Sequence, residues 1–155
     1  MIRAILIGHG RMGRMIEETM AREGGFELLG VVDMGLFEKP EDVPGQADVV
    51  IDFSYPGNLE KVLDFGVTRG CPLVLGTTGY SKEQLTRIRE AAKRTAVVHS
   101  SNYSTGVAAL VQALRLVAPK LMDSFDVEIV ETHHNKKADA PSGTAKLLAD
   151  AIDPA

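Results

Sequence analysis

Tryptophan is absent, aromatic residues make up only 5% of the chain, and there is a single cysteine, Cys71. So few flat aromatic faces argue against stacking platforms for single-stranded nucleic acid, and one cysteine cannot close an internal disulfide. No apolar run approaches the roughly 20 residues of a membrane span. The short run Ile2–Ile7 carries Arg3 and is no secretory leader, so a cytoplasmic protein with no membrane partner is expected. Positive charge is scarce too: 17 Lys and Arg stand against 21 Asp and Glu, which leaves no chain-wide field to hold nucleic acid. What remains is 45% hydrophobic and 25% charged over 155 residues. That is the make-up of a globular chain with a core rather than of a disordered or coiled-coil one.

Ile2–Ile7, rich in Ile and closed by Gly8, reads as a strand buried on both faces. Met12, Ile16 and Met20 then make a helical stripe, with Gly24 and Gly25 supplying a left-handed cap. Further strands are expected at Leu28–Val32, Ala47–Phe53, Pro72–Leu75 and Ala96–Ser100, with a Pro- and acid-rich surface connector over 34–46. Between the later strands lie helices carrying Leu59, Val62, Leu63 and Val67, and then Leu85, Ile88 and Ala92. Ser81 and Gln84 have the spacing of a capping box at the start of the second. Five strands alternating with helices predict an α/β dinucleotide-binding domain over 1–103, a Rossmann-like doubly wound parallel sheet.

From Ser104 the pattern changes. Val107, Leu110, Val111 and Leu114 mark a longer amphipathic helix that Pro119 is expected to kink or end. Phe125–Glu131 alternates as a sixth strand, and Ser142 opens a last helix with Leu147, Leu148 and Ile152 inside. Residues 104–155 therefore read as the start of an incomplete α+β substrate-binding or oligomerisation domain. Its one strand is expected to pair with an absent segment or another subunit.

Gly8-His9-Gly10-Arg11-Met12-Gly13 follows the first strand and opens the first helix, the context a dinucleotide fingerprint needs. Glycine lets the backbone approach a pyrophosphate, and the free N–H groups of the helix start bind its charge. Asp33, 20 residues after Gly13, is placed to accept from both hydroxyls of an adenosine ribose and to repel a 2′-phosphate. NADH is therefore favoured, and NADPH stays admissible because Arg11 and Arg14 offset part of that charge. The alternative is a glycine turn in a doubly wound protein that binds no dinucleotide, such as a flavodoxin-like or sugar-binding domain. Asp52-Phe53-Ser54, Gly76-Thr77-Thr78-Gly79 and Ser101-Asn102-Tyr103-Ser104 close the third, fourth and fifth strands on the same carboxyl edge, and are expected to line the nicotinamide end of one cleft. For Gly76–Gly79 the competing reading is a simple turn. Cys71 reads as a small buried hydrophobe, and His9 and His99 as loop-packing residues.

His133-His134-Asn135-Lys136-Lys137 gathers four potentially cationic side chains within five residues of an acidic chain, which suits an anionic ligand. Directly after it, Asp139-Ala140-Pro141-Ser142-Gly143-Thr144 puts hydroxyls and unobstructed N–H groups at a helix start, an anion cradle. Two adjoining anion sites fit a small dicarboxylate, with histidine and lysine at hand to move a proton. The competing reading is a solvated basic turn followed by an ordinary Ser cap. No metal is expected, because adjacent histidines on a strand point oppositely and no Cys or acidic set completes a site. Nor is nucleic acid expected, since the run is short and lacks aromatics.

The stretch from Glu128 to Ala145, EIVETHHNKKADAPSGTA, closely resembles the signature of the 4-hydroxy-tetrahydrodipicolinate (dihydrodipicolinate) reductase family. The Gly10–Gly13 loop, Asp52-Phe53-Ser54, Gly76–Gly79 and Asn102-Tyr103-Ser104 resemble it in the same order. The resemblance implies NAD(P)H-dependent reduction of 4-hydroxy-tetrahydrodipicolinate to tetrahydrodipicolinate, on the route to diaminopimelate and lysine. It implies His133 as acid/base residue and Lys137 as proton donor. It assigns His134, Gly143 and Thr144 to the substrate, with Ser142 positioning that loop. Gly8, His9, Gly10, Arg11, Met12, Gly13, Asp33, Gly76, Thr77, Thr78, Ser100, Ser101, Asn102 and Tyr103 would hold the cofactor. It also implies a homo-oligomer, a tetramer built through the substrate-domain sheets. Two features depart from the family pattern: the glycine loop has one residue fewer between its first two glycines, and the chain stops before further strands and a return segment. It is therefore expected to be truncated, with assembly impaired and part of the substrate's surroundings missing. A noncatalytic dinucleotide-binding module is the competing expectation.

Overall fold

β-branched and leucine runs bounded by glycine build the sheet at the core of the first hundred residues. In the computed structural model, which describes residues 1–133, 135 and 140–153, β1 (Ile2–Ile7) buries Ala4, Ile5, Leu6 and Ile7 almost completely. Around it lie β2 (Phe26–Val32), β3 (Val49–Asp52), β4 (Leu73–Leu75) and β5 (Val97–His99), all parallel, in the order β2-β1-β3-β4-β5. The helices α1 (Arg11–Glu23), α2 (Leu59–Arg69) and α3 (Lys82–Ala91) alternate with them. The fold is thus α/β and Rossmann-like, as expected. From β1 the chain winds outward first to β2 and then to β3 and beyond, so a crevice opens at the carboxyl ends of β1 and β3, where such sheets bind ligands.

The structure corrects the sequence reading in several places: β3, β4 and β5 are shorter than the expected Ala47–Phe53, Pro72–Leu75 and Ala96–Ser100. β2 begins at Phe26 rather than Leu28, because its first residues pair with the start of β1, Ile2 against Phe26 and Arg3 against Glu27. The connector over 34–46 is not wholly surface: Pro40 and Val43 are buried. A Cβ at Gly30 would lie 2.8 Å from both the Phe37 ring and Val43, so glycine in β2 makes room for this connector to fold back over the sheet. α3 opens with the expected capping box, in which the Ser81 hydroxyl accepts the Gln84 N–H at 3.2 Å and the Gln84 side chain accepts the Ser81 N–H at 3.0 Å.

The chain divides into two compact units, Met1–Ser100 and Ser101–Ala155. In the second, α4 (Thr105–Leu121) packs against α5 (Gly143–Ile152), and their N-caps are Ser104 and Ser142. Pro119 sits in the last turn of α4, which ends two residues beyond it. Phe125–Glu131 is not a strand, contrary to the reading of its alternation. Among the described residues it has no neighbouring strand to take its N–H and C=O groups, and a single extended segment does not hold as a sheet. Phe125 and Val130 are consequently exposed. No helix among the described residues is long and apolar enough to cross a membrane.

Candidate functional site

The turn after β1 is built by steric necessity. Gly8 has φ +92°, and its N–H donates to Val32 O at 2.9 Å. A Cβ on Gly8 would lie 2.6 Å from Phe53 O, and one on Gly13 only 2.0 Å from Gly8 O. The loop, β3 and the first turn of α1 therefore meet backbone to backbone. Gly10 is different. It is the N-cap of α1 with φ −72°, no side chain caps the helix there, and an added Cβ would meet nothing within 4 Å. Neither conformation nor packing requires glycine at this position. The open space beside it belongs to a cavity of about 600 Å³ lined by Gly8, Gly10, Asp33, Glu38, Ser54 and Lys61, among others.

Asp33 closes β2 and ties the loop together: its carboxylate accepts the His9 N–H and, at 2.7 Å, the Met34 N–H. The His9 ring faces Glu17 of α1 at 2.7 Å, and the Arg14 Nε–H donates to His9 O at 3.2 Å. Arg11 and Met12 are exposed on the first turn of α1.

Beneath the cavity wall lies Asp52, the last residue of β3 and fully buried. Burial pushes its carboxyl above the ordinary value, and hydrogen bonds from Ser54, Thr77 and Tyr80 pull the other way. Gly76 packs on the Phe53 ring, where a Cβ would approach to 2.3 Å, and its N–H donates to Asp52 O at 2.8 Å. Thr77 is buried and Thr78 exposed. These three do not line the cavity, although Thr77 supports Ser54, which does. The Ser100 N–H donates to Leu75 O at 3.2 Å. Cys71 is buried with its thiol pushed up, chiefly by desolvation. Burial lowers His99, whose ring lies 5.5 Å from that of Tyr80.

In the second unit the starts of the two helices are tied together. The Ser101 hydroxyl donates to Gly143 O at 3.2 Å, and Asn102 Nδ2 donates to Thr144 Oγ1 at 2.9 Å while its Oδ1 accepts the Ser104 N–H at 2.8 Å. Tyr103 is exposed. Ser142 is buried, and Glu131 accepts both its N–H at 2.8 Å and its O–H at 2.5 Å. His133 Nδ1 stands 3.7 Å from the same carboxylate. Residues expected to bind cofactor (Ser101, Asn102) thus meet residues expected to bind substrate (Gly143, Thr144). His134 and Lys137 lie outside the described residues. Among those described, no group of three or more His, Cys, Asp or Glu is placed to hold a metal.

Sequence reasoning passed over Glu38, Asn58, Lys61 and Glu131. Glu131 lay inside the quoted signature, and Asn58 stands four residues after Ser54, whose hydroxyl its amide reaches at 3.2 Å. Glu38 and Lys61 carry no local signal, because only the folding of the connector and α2 brings them to the cavity.

Comparison with known proteins gives matches along the whole chain. The family model described as dihydrodipicolinate reductase, N-terminus, matches residues 2–103, and that described as dihydrodipicolinate reductase, C-terminus, matches 106–154. A 4-hydroxy-tetrahydrodipicolinate reductase of Clostridium tetani is 40% identical over 161 residues, covering 98% of this chain and 63% of its own. One from an Exiguobacterium species is 43% identical over 154 residues, covering 96% and 60%. The solved structure of a dipicolinate-bound dihydrodipicolinate reductase from Paenisporosarcina sp. TG-14 matches with a TM-score of 0.73 at 28% identity, covering 99% of this chain and 66% of that one. The chain spans less than two thirds of the length of each of these relatives.

Proposed function

Because the chain belongs to the dihydrodipicolinate reductase family, we propose that it binds a nicotinamide dinucleotide, NADH in preference to NADPH, and takes part in reducing 4-hydroxy-tetrahydrodipicolinate to tetrahydrodipicolinate. The observation that carries this reading is the uncapped start of α1 at Gly10, a glycine that nothing in the protein requires, opening on a cavity that also holds Asp33. Unpaired N–H groups at a helix start favour a phosphate, and the open space leaves room for one at the backbone. Across the cavity Asp33 retains lone pairs for ribose hydroxyls and repels a 2′-phosphate. When bound, the dinucleotide supplies the hydride.

The protein's own part is to bind, orient and move a proton. His133 serves as acid/base residue, its Nδ1 3.7 Å from the Glu131 carboxylate. Lys137 serves as proton donor. His134 and the start of α5 at Gly143 and Thr144 hold the substrate carboxylates, with Ser142 fixing that loop through Glu131. The neighbour's bound dipicolinate supports a planar dicarboxylate as ligand class, and family membership supports a homo-oligomer.

Titration calorimetry with NADH and NADPH, each with and without pyridine-2,6-dicarboxylate, tests the proposal. NADH binding that in turn permits dicarboxylate binding is the expected result, followed by NADH oxidation with enzymatically generated substrate. Failure of both nucleotides to bind would overturn it. Nucleotide binding with neither dicarboxylate response nor turnover would favour a noncatalytic module.

A further inference from the structure

Asp52 raises a question that the proposed reaction leaves open. It is a fully buried carboxylate, and its side-chain partners are three hydroxyls: Ser54 at 2.5 Å, Thr77 at 2.9 Å and Tyr80 at 3.1 Å. A carboxylate only accepts, and a hydroxyl has one proton and two lone pairs. Each hydroxyl therefore spends its proton on Asp52 and is left able only to accept. Thr77 Oγ1 accepts the Ser54 N–H at 2.9 Å, and Ser54 Oγ accepts Asn58 Nδ2 at 3.2 Å, which leaves Ser54 one lone pair. Ser54 and Asn58 both line the cavity of Gly8, Gly10 and Asp33.

We propose that Asp52 is a positioning residue that fixes the Ser54 hydroxyl as an acceptor toward the bound nucleotide, so that this wall takes a hydrogen-bond donor, a ribose hydroxyl or a carboxamide N–H, and refuses a phosphate oxygen. This rests on the nucleotide-binding reading above. The cavity is then sorted by polarity. N–H donors at the start of α1 face phosphate, whereas acceptors at Asp33 and Ser54 face hydroxyl or amide groups. A ligand in the reverse orientation would set phosphate oxygens against two acceptors, which costs binding because neither side can supply a proton.

Replacing Asp52 by Asn puts one donor and one acceptor where there were two acceptors, so Ser54 or Thr77 must turn its proton round. Replacing Ser54 by Val removes the hydroxyl, and Ser54→Thr, which has the same branched shape as Val, retains it. Calorimetry of NADH with the full chain should show affinity reduced about tenfold by Asp52→Asn and by Ser54→Val, and within about twofold of the unaltered protein for Ser54→Thr. The Asp52→Asn, Ser54→Val double variant should bind no worse than Ser54→Val alone, since Asp52 acts through that hydroxyl. Losses that sum would mark Asp52 as a general support of the fold and overturn the proposal. So would equal binding by Ser54→Val and Ser54→Thr, a comparison that decides even where Asp52→Asn fails to fold. Repeating the series with ADP-ribose identifies the donor: the same losses point to a ribose hydroxyl, and losses with NADH alone to the carboxamide. If the unaltered chain binds none of these ligands, the nucleotide-binding reading itself has failed and this inference falls with it.

Discussion

Three glycines of one loop are there for three different reasons. Gly8 answers to its positive φ and to the backbone of β3, Gly13 to Gly8 O at 2.0 Å from its missing Cβ, and Gly10 to nothing inside the protein. Gly13→Ala should therefore cost about 1–3 kcal/mol of stability as an overpacked buried contact. Gly10→Ala should change the stability of the unliganded protein by less than about 1 kcal/mol, the unfolded chain's reduced freedom offsetting alanine's poorer N-cap. Both should weaken NADH binding. Urea unfolding beside calorimetry separates the two, and a Gly10→Ala variant that binds NADH normally would remove the reason offered for that glycine. The GxGxxG spacing was legible in the sequence, but the distinct job of each glycine was not, because it depends on where Phe53 and Ser54 arrive from a distant stretch of the chain.

At the scale of elements, local chemistry and long-range pairing contribute separately. The capping box of α3 is written within four residues, so it could be read directly. Ser81→Ala should lower unfolding free energy by about 1 kcal/mol, and a change near zero in a urea titration would show that α3 is held by its buried face alone. The core strands β1, β3 and β4 were legible because buried parallel strands are plain apolar runs ended by glycine or a polar residue. Elsewhere partners decided. β2 starts earlier than its own residues suggest, since Ile2 and Arg3 pair with Phe26 and Glu27. Phe125–Glu131 has the alternation of a strand and no partner strand among the described residues. Val43 reads as a loop residue and is buried only because Gly30 leaves space above β2. Alternation reports which side chains would share a face and is silent on whether a neighbour exists to accept the backbone.

Over the whole molecule, two carboxylates at opposite ends of β3 set opposing pH dependences. Asp48 is exposed beside Arg3 at 2.9 Å, and that guanidinium lowers it from 3.8 to about 2. Its contribution is present above its ordinary value and is lost as pH falls toward the lowered one. Asp52 is raised by burial, so its contribution is whole below 3.8 and is lost as pH climbs through its raised value. Melting temperature against pH should show both limbs. Asp48→Asn should flatten the acid limb alone and Asp52→Asn the rise-of-pH limb alone, and an unchanged profile in either variant would contradict the assignment. At this scale the glycine loop, Asp33 and Ser54 were legible as motifs at the ends of strands that line one cavity. The buried network under Ser54, and Glu131 holding Ser142, were not, because hydrogen bonds between side chains of different elements leave no spacing in a sequence.

Cys71 is 3% exposed between α2 and β4, its Sγ 3.6 Å from Ala47 O, with the thiol's ionisation suppressed by burial and by the charge of Asp48. A thiol reagent needs the thiolate and a path to it, and the closed first unit offers neither. The solitary thiol is thus a built-in clock: each labelling event records one opening of the sheet, and any ligand that seats on the carboxyl edge and holds the strands together should slow its ticking.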